Sequence, residues 1–187
     1  MDNIAKLLTT ITKETINGTD MSKDLDKIDK SFVSVYQAPA GSEHYKLLSY
    51  ISRLINGCYI LDIGTYLGYS AIALSGNADN KVVSYDVQKQ HILKNTINID
   101  FRIGEATEFE YFKATKVILL DTYHDGVYED KFIKHLRSIK WIGLLLMDDI
   151  NEFPKLRELF DELPEEKYDI THLGHWSGTG AVSFNGE

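Results

Sequence analysis

A single cysteine, Cys58, stands in the 187 residues of this chain. No disulfide can therefore close within it, and a reducing, cytoplasmic setting is expected. No apolar run approaches the length needed to span a bilayer, and the opening stretch MDNIAKLLTTITKETINGTD lacks the basic-then-apolar pattern of a signal sequence. Lysines and arginines form no block, and the formal net charge is −8. Neither nucleic acid nor a membrane is expected as a partner; a small or neutral substrate, or a cationic cofactor, is easier to accommodate. Internal repeats and low-complexity segments are missing too. The length suits one domain with a full core and is short for two.

What is present is an alternation. Ile4, Leu7, Leu8 and Ile11 lie at helical spacing, and Asn17-Gly18 is expected to end that helix. Polar residues 19 to 30 read as a loop or lid. SEHYKLLSYISRLING predicts a helix with Leu47, Leu48, Ile51, Leu54 and Ile55 on one face, Ser42 as its N-cap and Gly57 as its stop. Short apolar strands follow: CYILDIG, KVVSYDV, IDFRIG, KVILLD and IGLLLMDD. Helices are expected between and after them, from Gly68 to Leu74, near HILKN, through VYEDKFIKHLRSI, and at FPKLRELFDEL with Pro154 in its first turn. YDITHLG and GAVSF read as closing strands joined by HWSGT. Continuous apolar strands alternating with helices predict an α/β fold: one mostly parallel sheet with helices on both faces. Residues 1 to 34 would form an N-terminal helix and lid, and residues 35 to 187 a core.

In such sheets ligands sit at the carboxyl ends of the strands, near the point where strand order reverses. Asp62, Asp86, Glu105, Asp121, and Asp148 with Asp149 all fall there. One carboxylate at a strand end is ordinary, because it meets solvent or caps a helix. The repetition along one edge points to a site. LDIGTYLGYS brackets a strand-to-helix turn with Gly64 and Gly68 and lacks the second glycine of the dinucleotide motif GxGxxG. Tyr66 stands where a pyrophosphate would need bare backbone. Gly64 would let a ligand pack on the chain, and Asp62 could meet an ammonium group. The loop suits a cationic, phosphate-free cofactor, and S-adenosylmethionine fits; a packing glycine pair at a tight turn is the other reading. Asp86 could accept both ribose hydroxyls. Glu105, Ala106 and Thr107 could line the adenine.

ILDIGTYLGYSAIAL resembles motif I of the class I S-adenosylmethionine-dependent methyltransferases, especially the small-molecule O-methyltransferases of the catechol and caffeoyl-CoA type. The resemblance runs over residues 35 to 184. It implies a Rossmann-like fold of seven strands with the last one antiparallel, and it places Asp62, Gly64, Tyr66, Gly68, Tyr69, Ser70, Asp86, Glu105, Ala106 and Asp121 around the cofactor. VYQAPAGSE resembles the segment that reaches over the cofactor's methionine end. The metal-dependent members hold their ion with an aspartate after the fourth strand and an adjacent pair after the fifth, which here are Asp121, Asp148 and Asp149. Three carboxylates gathered there would repel unless protonated or bridged by a cation. Oxygen-only ligands suit Mg²⁺ or Mn²⁺, with Ca²⁺ as a further candidate, and do not favour zinc.

The catechol type carries a lysine three positions after that aspartate; this chain has His124. A histidine titrates near neutral pH and can serve as general base, or it can cap the next helix. The expected catalytic residues are thus His124 and Asp121, and the expected reaction is methylation of a small-molecule hydroxyl on a phenol, sugar or natural product. Rival expectations are a metal-independent or nitrogen-directed methyltransferase, a non-catalytic methyltransferase-like subunit, and an NAD(P)-binding oxidoreductase. A homodimer stays open. Trp176 in GHWSGTG would be core or a wall of the acceptor pocket. Tyr36, Tyr45 and Tyr123 are expected to pack, and His135 and His172 to face solvent or the sheet surface.

Overall fold

A computed structural model describes residues 4–26, 28, 33–88 and 98–187. Seven strands lie in the order β3-β2-β1-β4-β5-β7-β6: β1 (Tyr59–Ile63), β2 (Lys81–Asp86), β3 (Ile99–Ile103), β4 (Thr115–Leu120), β5 (Ile142–Asp148), β6 (Glu166–Asp169) and β7 (Thr179–Asn185). The first five pair in parallel. β7 runs antiparallel between β5 and β6. The expected sheet, with its antiparallel last strand, is the one found.

The inner strands β1, β2, β4, β5 and β7 bury most of both faces, which is why they read as mostly apolar runs. Ile60, Val82, Val117, Leu144 and Leu146 point to one side, where α5 (Pro39–Arg53) supplies Leu47, Leu48 and Ile51 and α6 (Tyr69–Leu74) supplies Ile72 and Leu74. Leu61, Val83, Ile118 and Leu145 point to the other, where α7 (Val127–Ser138) supplies Phe132, Ile133 and Leu136 and α8 (Pro154–Glu162) supplies Leu156 and Phe160. Strand order reverses between β1 and β4, so a crevice opens at their carboxyl ends.

Four expectations change. The N-terminal helix is two short ones, α1 (Ile4–Leu8) and α2 (Lys13–Asn17). The hydroxyls of Thr9 and Thr10 bond back to the carbonyls of Lys6 and Leu7, and Thr12 caps the second helix through the Thr15 amide at 3.3 Å. Such side chains give the backbone an alternative to the helix. Second, the described part of residues 19 to 30 is not loop throughout. Within it, α3 (Ser22–Leu25) sets the buried Asp24 carboxylate 3.1 Å from both Ser49 and Arg53 of α5. Third, α5 starts at Pro39, whose fixed φ suits the first turn, so Ser42 lies inside the helix with its hydroxyl on the Pro39 carbonyl. That helix ends at Arg53, short of Gly57. Fourth, β6 stops at Asp169, whose carboxylate accepts the Thr171 amide at 3.0 Å in a local turn, and Thr171–Leu173 forms a 3₁₀ turn. The helix expected near HILKN lies outside the described residues. One short helix, α4 (Val33–Gln37), precedes α5. Among the described residues no helix is long and apolar enough to cross a membrane.

Candidate active site

The turn after β1 is dictated by its neighbour strand. Gly64 has φ 101°, and a Cβ there would lie 1.5 Å from the Asp121 carbonyl oxygen. The closeness of the Asp121 backbone requires glycine here whether or not a ligand packs on the chain as the sequence suggested. The Gly64 and Thr65 amides both donate to the Tyr85 carbonyl, and the Tyr66 amide donates to Asp86 Oδ2 at 2.9 Å. Asp86 Oδ1 takes the Gln88 amide at 3.0 Å, so this carboxylate is held in one orientation. Gly68, at φ 89°, turns the chain into α6.

A cavity of about 410 Å³ opens at this edge, walled by Gly64, Tyr66, Tyr85, Asp86, Gly104, Glu105, Tyr128 and the segment from Asp121 to His124. Of the expected cofactor residues, Gly64, Tyr66, Asp86, Glu105 and Asp121 stand on its wall. Asp62, Gly68, Tyr69, Ser70 and Ala106 do not. Asp62 is fully buried behind the loop, on the side of the sheet that carries α5. It accepts the Ser84 hydroxyl at 2.5 Å, and its Oδ1 has no hydrogen-bond partner. Burial pushes its carboxyl up to about 7 although the Ser84 and Ser70 hydroxyls pull the other way. Tyr69 is buried, its carbonyl accepting the Tyr36 hydroxyl at 2.7 Å.

β4 and β5 lie side by side, so the residues that follow them meet. His124 Nε2 is 3.1 Å from Asp121 Oδ1 and 3.5 Å from Asp149 Oδ2. His124 and Asp149 have φ 59° and 58°, left-handed values that non-glycine residues adopt rarely and only where their surroundings enforce them. Those surroundings are visible. Glu129 of α7, fully buried, accepts the Thr122 hydroxyl at 2.6 Å and the His124 amide at 3.0 Å. Phe153 stacks on the imidazole with ring centroids 4.7 Å apart. The Asn151 amide donates to the Ser177 carbonyl at 2.7 Å and ties the Asp149 loop to the turn before β7. Burial pulls the His124 pKa down, but the Asp121 and Asp149 carboxylates outweigh it and the net shift is upward.

The adjacent aspartates part company. Asp148 is the last residue of β5 and shares the face of Leu144 and Leu146, because side chains alternate along a strand. It therefore points toward α5, with Oδ1 3.4 Å from the Thr179 hydroxyl and 3.6 Å from His44 Nδ1. Burial, with Asp121 and Asp149 nearby, drives its carboxyl far upward. Asp149 has left the strand and turns the other way. The donors brought within 4.8 Å of one another are thus Asp121, His124 and Asp149. The expected trio had Asp148 in the place of His124.

Two residues that matter here went unread in the sequence. Glu129 precedes Phe132, Ile133 and Leu136 at i, i+3, i+4 and i+7, and His44 stands in the same relation to Leu47, Leu48 and Ile51. A polar residue in phase with an apolar stripe was the available signal. Trp176 is exposed, with His175 beside it at 5.0 Å, so it is not core. His172 is exposed and His135 lies against Phe112.

No family model matches the sequence, and no curated protein matches it. Solved structures do match. The cofactor-bound Rv0187 from MTB shares 15% identity over 90% of this chain and 94% of that one, with a TM-score of 0.63. The O-methyltransferase TomG from Streptomyces achromogenes, involved in tomaymycin synthesis and solved with S-adenosylmethionine, shares 16% over 94% and 100%, TM-score 0.61. An O-methyltransferase from Bacillus cereus in complex with S-adenosylhomocysteine shares 18% over 92% and 100%, TM-score 0.57. The chain shares the Rossmann-like fold of these structures.

Proposed function

We propose that this chain transfers the methyl group of S-adenosylmethionine to a hydroxyl of a small molecule. One observation carries the reading. A single cavity at the strand-reversal point has an oriented carboxylate, Asp86, on its wall, together with Asp121 and His124 of a carboxylate–imidazole–carboxylate cluster. The cofactors bound by TomG and the Bacillus cereus enzyme support the same assignment. Its volume suits a small ligand, and the lone Cys58 supports a reducing cytoplasm.

In this reading Asp86 accepts the ribose hydroxyls. Tyr66, Gly104 and Glu105 border the base, with Ala106 behind them. Gly68, Tyr69 and Ser70 carry the loop into α6. Asp62 supplies negative charge behind the loop toward the cofactor's ammonium, which would favour its ionised form. Asp121, at the end of β4, lies between cofactor and acceptor. The acceptor hydroxyl is held against Asp121, His124 and Asp149. In the metal-free protein His124 takes its proton, because the flanking carboxylates favour the imidazolium.

The cluster also fits a divalent cation. It gathers two carboxylates, and His124 Nε2 is sealed from solvent without a hydrogen-bond partner of good geometry. A bound cation would stabilise the acceptor's developing oxygen charge and orient it for in-line attack on the methyl group. An oxidoreductase is disfavoured by Tyr66, whose side chain stands where a pyrophosphate would approach. The test is calorimetry with S-adenosylhomocysteine and NADPH, then methyl transfer to a panel of phenols and sugars with and without EDTA. Binding of NADPH alone would end the methyltransferase reading. Full activity after exhaustive chelation would end its metal-assisted form.

A further inference from the structure

We propose that His124 is itself a ligand of the divalent ion. The centre would then be a mixed nitrogen–oxygen site of Asp121, His124 and Asp149 that takes Mn²⁺, Co²⁺ or Zn²⁺ in preference to Mg²⁺ or Ca²⁺. This rests on the metal-assisted reading above and changes the class of ion that reading takes.

The two separations that involve Nε2 are those of adjacent ligands around one ion, and all three donors lie within 4.8 Å of one another. Donors about 2.1 Å from a common centre stand roughly 3.0–3.4 Å apart when adjacent in octahedral or tetrahedral geometry. The Nε2 contacts, 3.1 Å to Asp121 and 3.5 Å to Asp149, match that separation. Yet Nε2 has no partner in hydrogen-bonding geometry, and its atom is buried. A plain histidine–aspartate pair would point an N–H at the carboxylate. Nε2 meets the two carboxylates only as an ion pair, and a cation between the three groups would give it a directed partner.

The imidazole is also aimed. Phe153 covers one face of the ring, and Glu129 fixes the backbone amide of His124. Neither contact occupies Nε2. The alternative third donor is turned away, since Asp148 faces Thr179 and His44 on the α5 side of the sheet. An oxygen-only trio is therefore not what the fold assembles. Hard ions such as Mg²⁺ and Ca²⁺ select oxygen donors, whereas a ring nitrogen favours the later divalent ions.

The experiment uses the full chain freed of metal. Mn²⁺, Co²⁺, Zn²⁺ and Mg²⁺ are titrated in competition, and the Mn²⁺ form is examined by pulsed electron paramagnetic resonance for directly bound ¹⁴N. The expected result is Mn²⁺ binding at least about tenfold tighter than Mg²⁺, with nitrogen coupling that survives in His44→Gln. In His124→Asp the coupling disappears, and the Mn²⁺-to-Mg²⁺ ratio falls by at least about tenfold. Bound Mn²⁺ without nitrogen coupling, or a ratio unchanged in a folded His124→Asp, overturns the ligand assignment and leaves the metal reading standing. No binding of any ion at millimolar concentration overturns both. If His124→Asp does not fold, the coupling in wild type and in His44→Gln decides alone.

Discussion

Asp62 makes the stability of the ligand-free protein depend on pH in a calculable way. Its carboxyl is fully buried, bonded through one oxygen to Ser84 and unpaired at the other, and stands at about 7 rather than the ordinary 3.8. The folded state thus binds the proton more tightly than the unfolded state. The associated stability is fully present below about pH 4 and is lost as pH rises through about 7. A shift of about three units corresponds to about 4 kcal/mol in full; between pH 5 and pH 8 the loss is about 2.5 kcal/mol. Asp62→Asn keeps the shape and an acceptor for Ser84 but cannot ionise. Urea unfolding of both proteins at pH 5, 6, 7 and 8, without ligand, reads the residue together with its coupling to Asp121 and His44, while titrations elsewhere cancel in the difference. The variant should gain on the wild type by about 2.5 kcal/mol across that range. Parallel pH profiles for the two proteins would refute the reasoning.

Other outcomes follow from the same geometry. Gly64→Ala should cost more than about 3 kcal/mol, because the new Cβ meets the Asp121 carbonyl in a left-handed backbone; an unchanged melting temperature would contradict it. Glu129→Ala should lower kcat at least about tenfold while Glu129→Gln stays near wild type, since only alanine leaves the Thr122 hydroxyl and His124 amide without an acceptor. Equal kinetics in both variants would count against the positioning role. Arg137 donates to both oxygens of Glu165, at 2.6 and 2.8 Å, and holds that carboxyl below its ordinary range. Arg137→Ala should lose about 1 kcal/mol at neutral pH. The deficit should fade as pH falls below the ordinary glutamate value, because the pair stabilises only while Glu165 is ionised.

The parallel sheet was legible because burial on both faces makes β1, β4 and β5 mostly apolar, and acids recur at or near the carboxyl ends of the strands. The break between α1 and α2 was not. Ile4, Leu7, Leu8 and Ile11 keep helical phase straight through it, although Leu7 is exposed. The competing bonds come from threonine hydroxyls, which periodicity ignores. At the candidate site, Asp121 was singled out by its place at a strand end and His124 by the resemblance, but the divergence of Asp148 and Asp149 was not legible. Which of them stays in the strand is set by pairing with Thr179, 31 residues away. Glu129 and His44 lay within reach of sequence reasoning, since each interrupts an apolar stripe, but such positions are usually passed over as helix surface.

The placement of β7 governs the order in which the molecule can be assembled. β6 precedes it in the chain, yet β6 joins the sheet only through β7, so β6 has no place in the sheet until β7 pairs with β5. Until residues 179 to 185 dock, β5 is a bare hydrophobic edge, and Asp148 lacks the Thr179 hydroxyl that faces it. Such long-range pairing is slow to form. The turn that carries Ser177, which anchors the Asp149 loop, becomes fixed only with that strand. A partly folded chain would therefore hold the β1 to β4 side of the crevice without the Asp149 arm of the cluster. The three donors of the cluster would come together only once β7 has paired with β5.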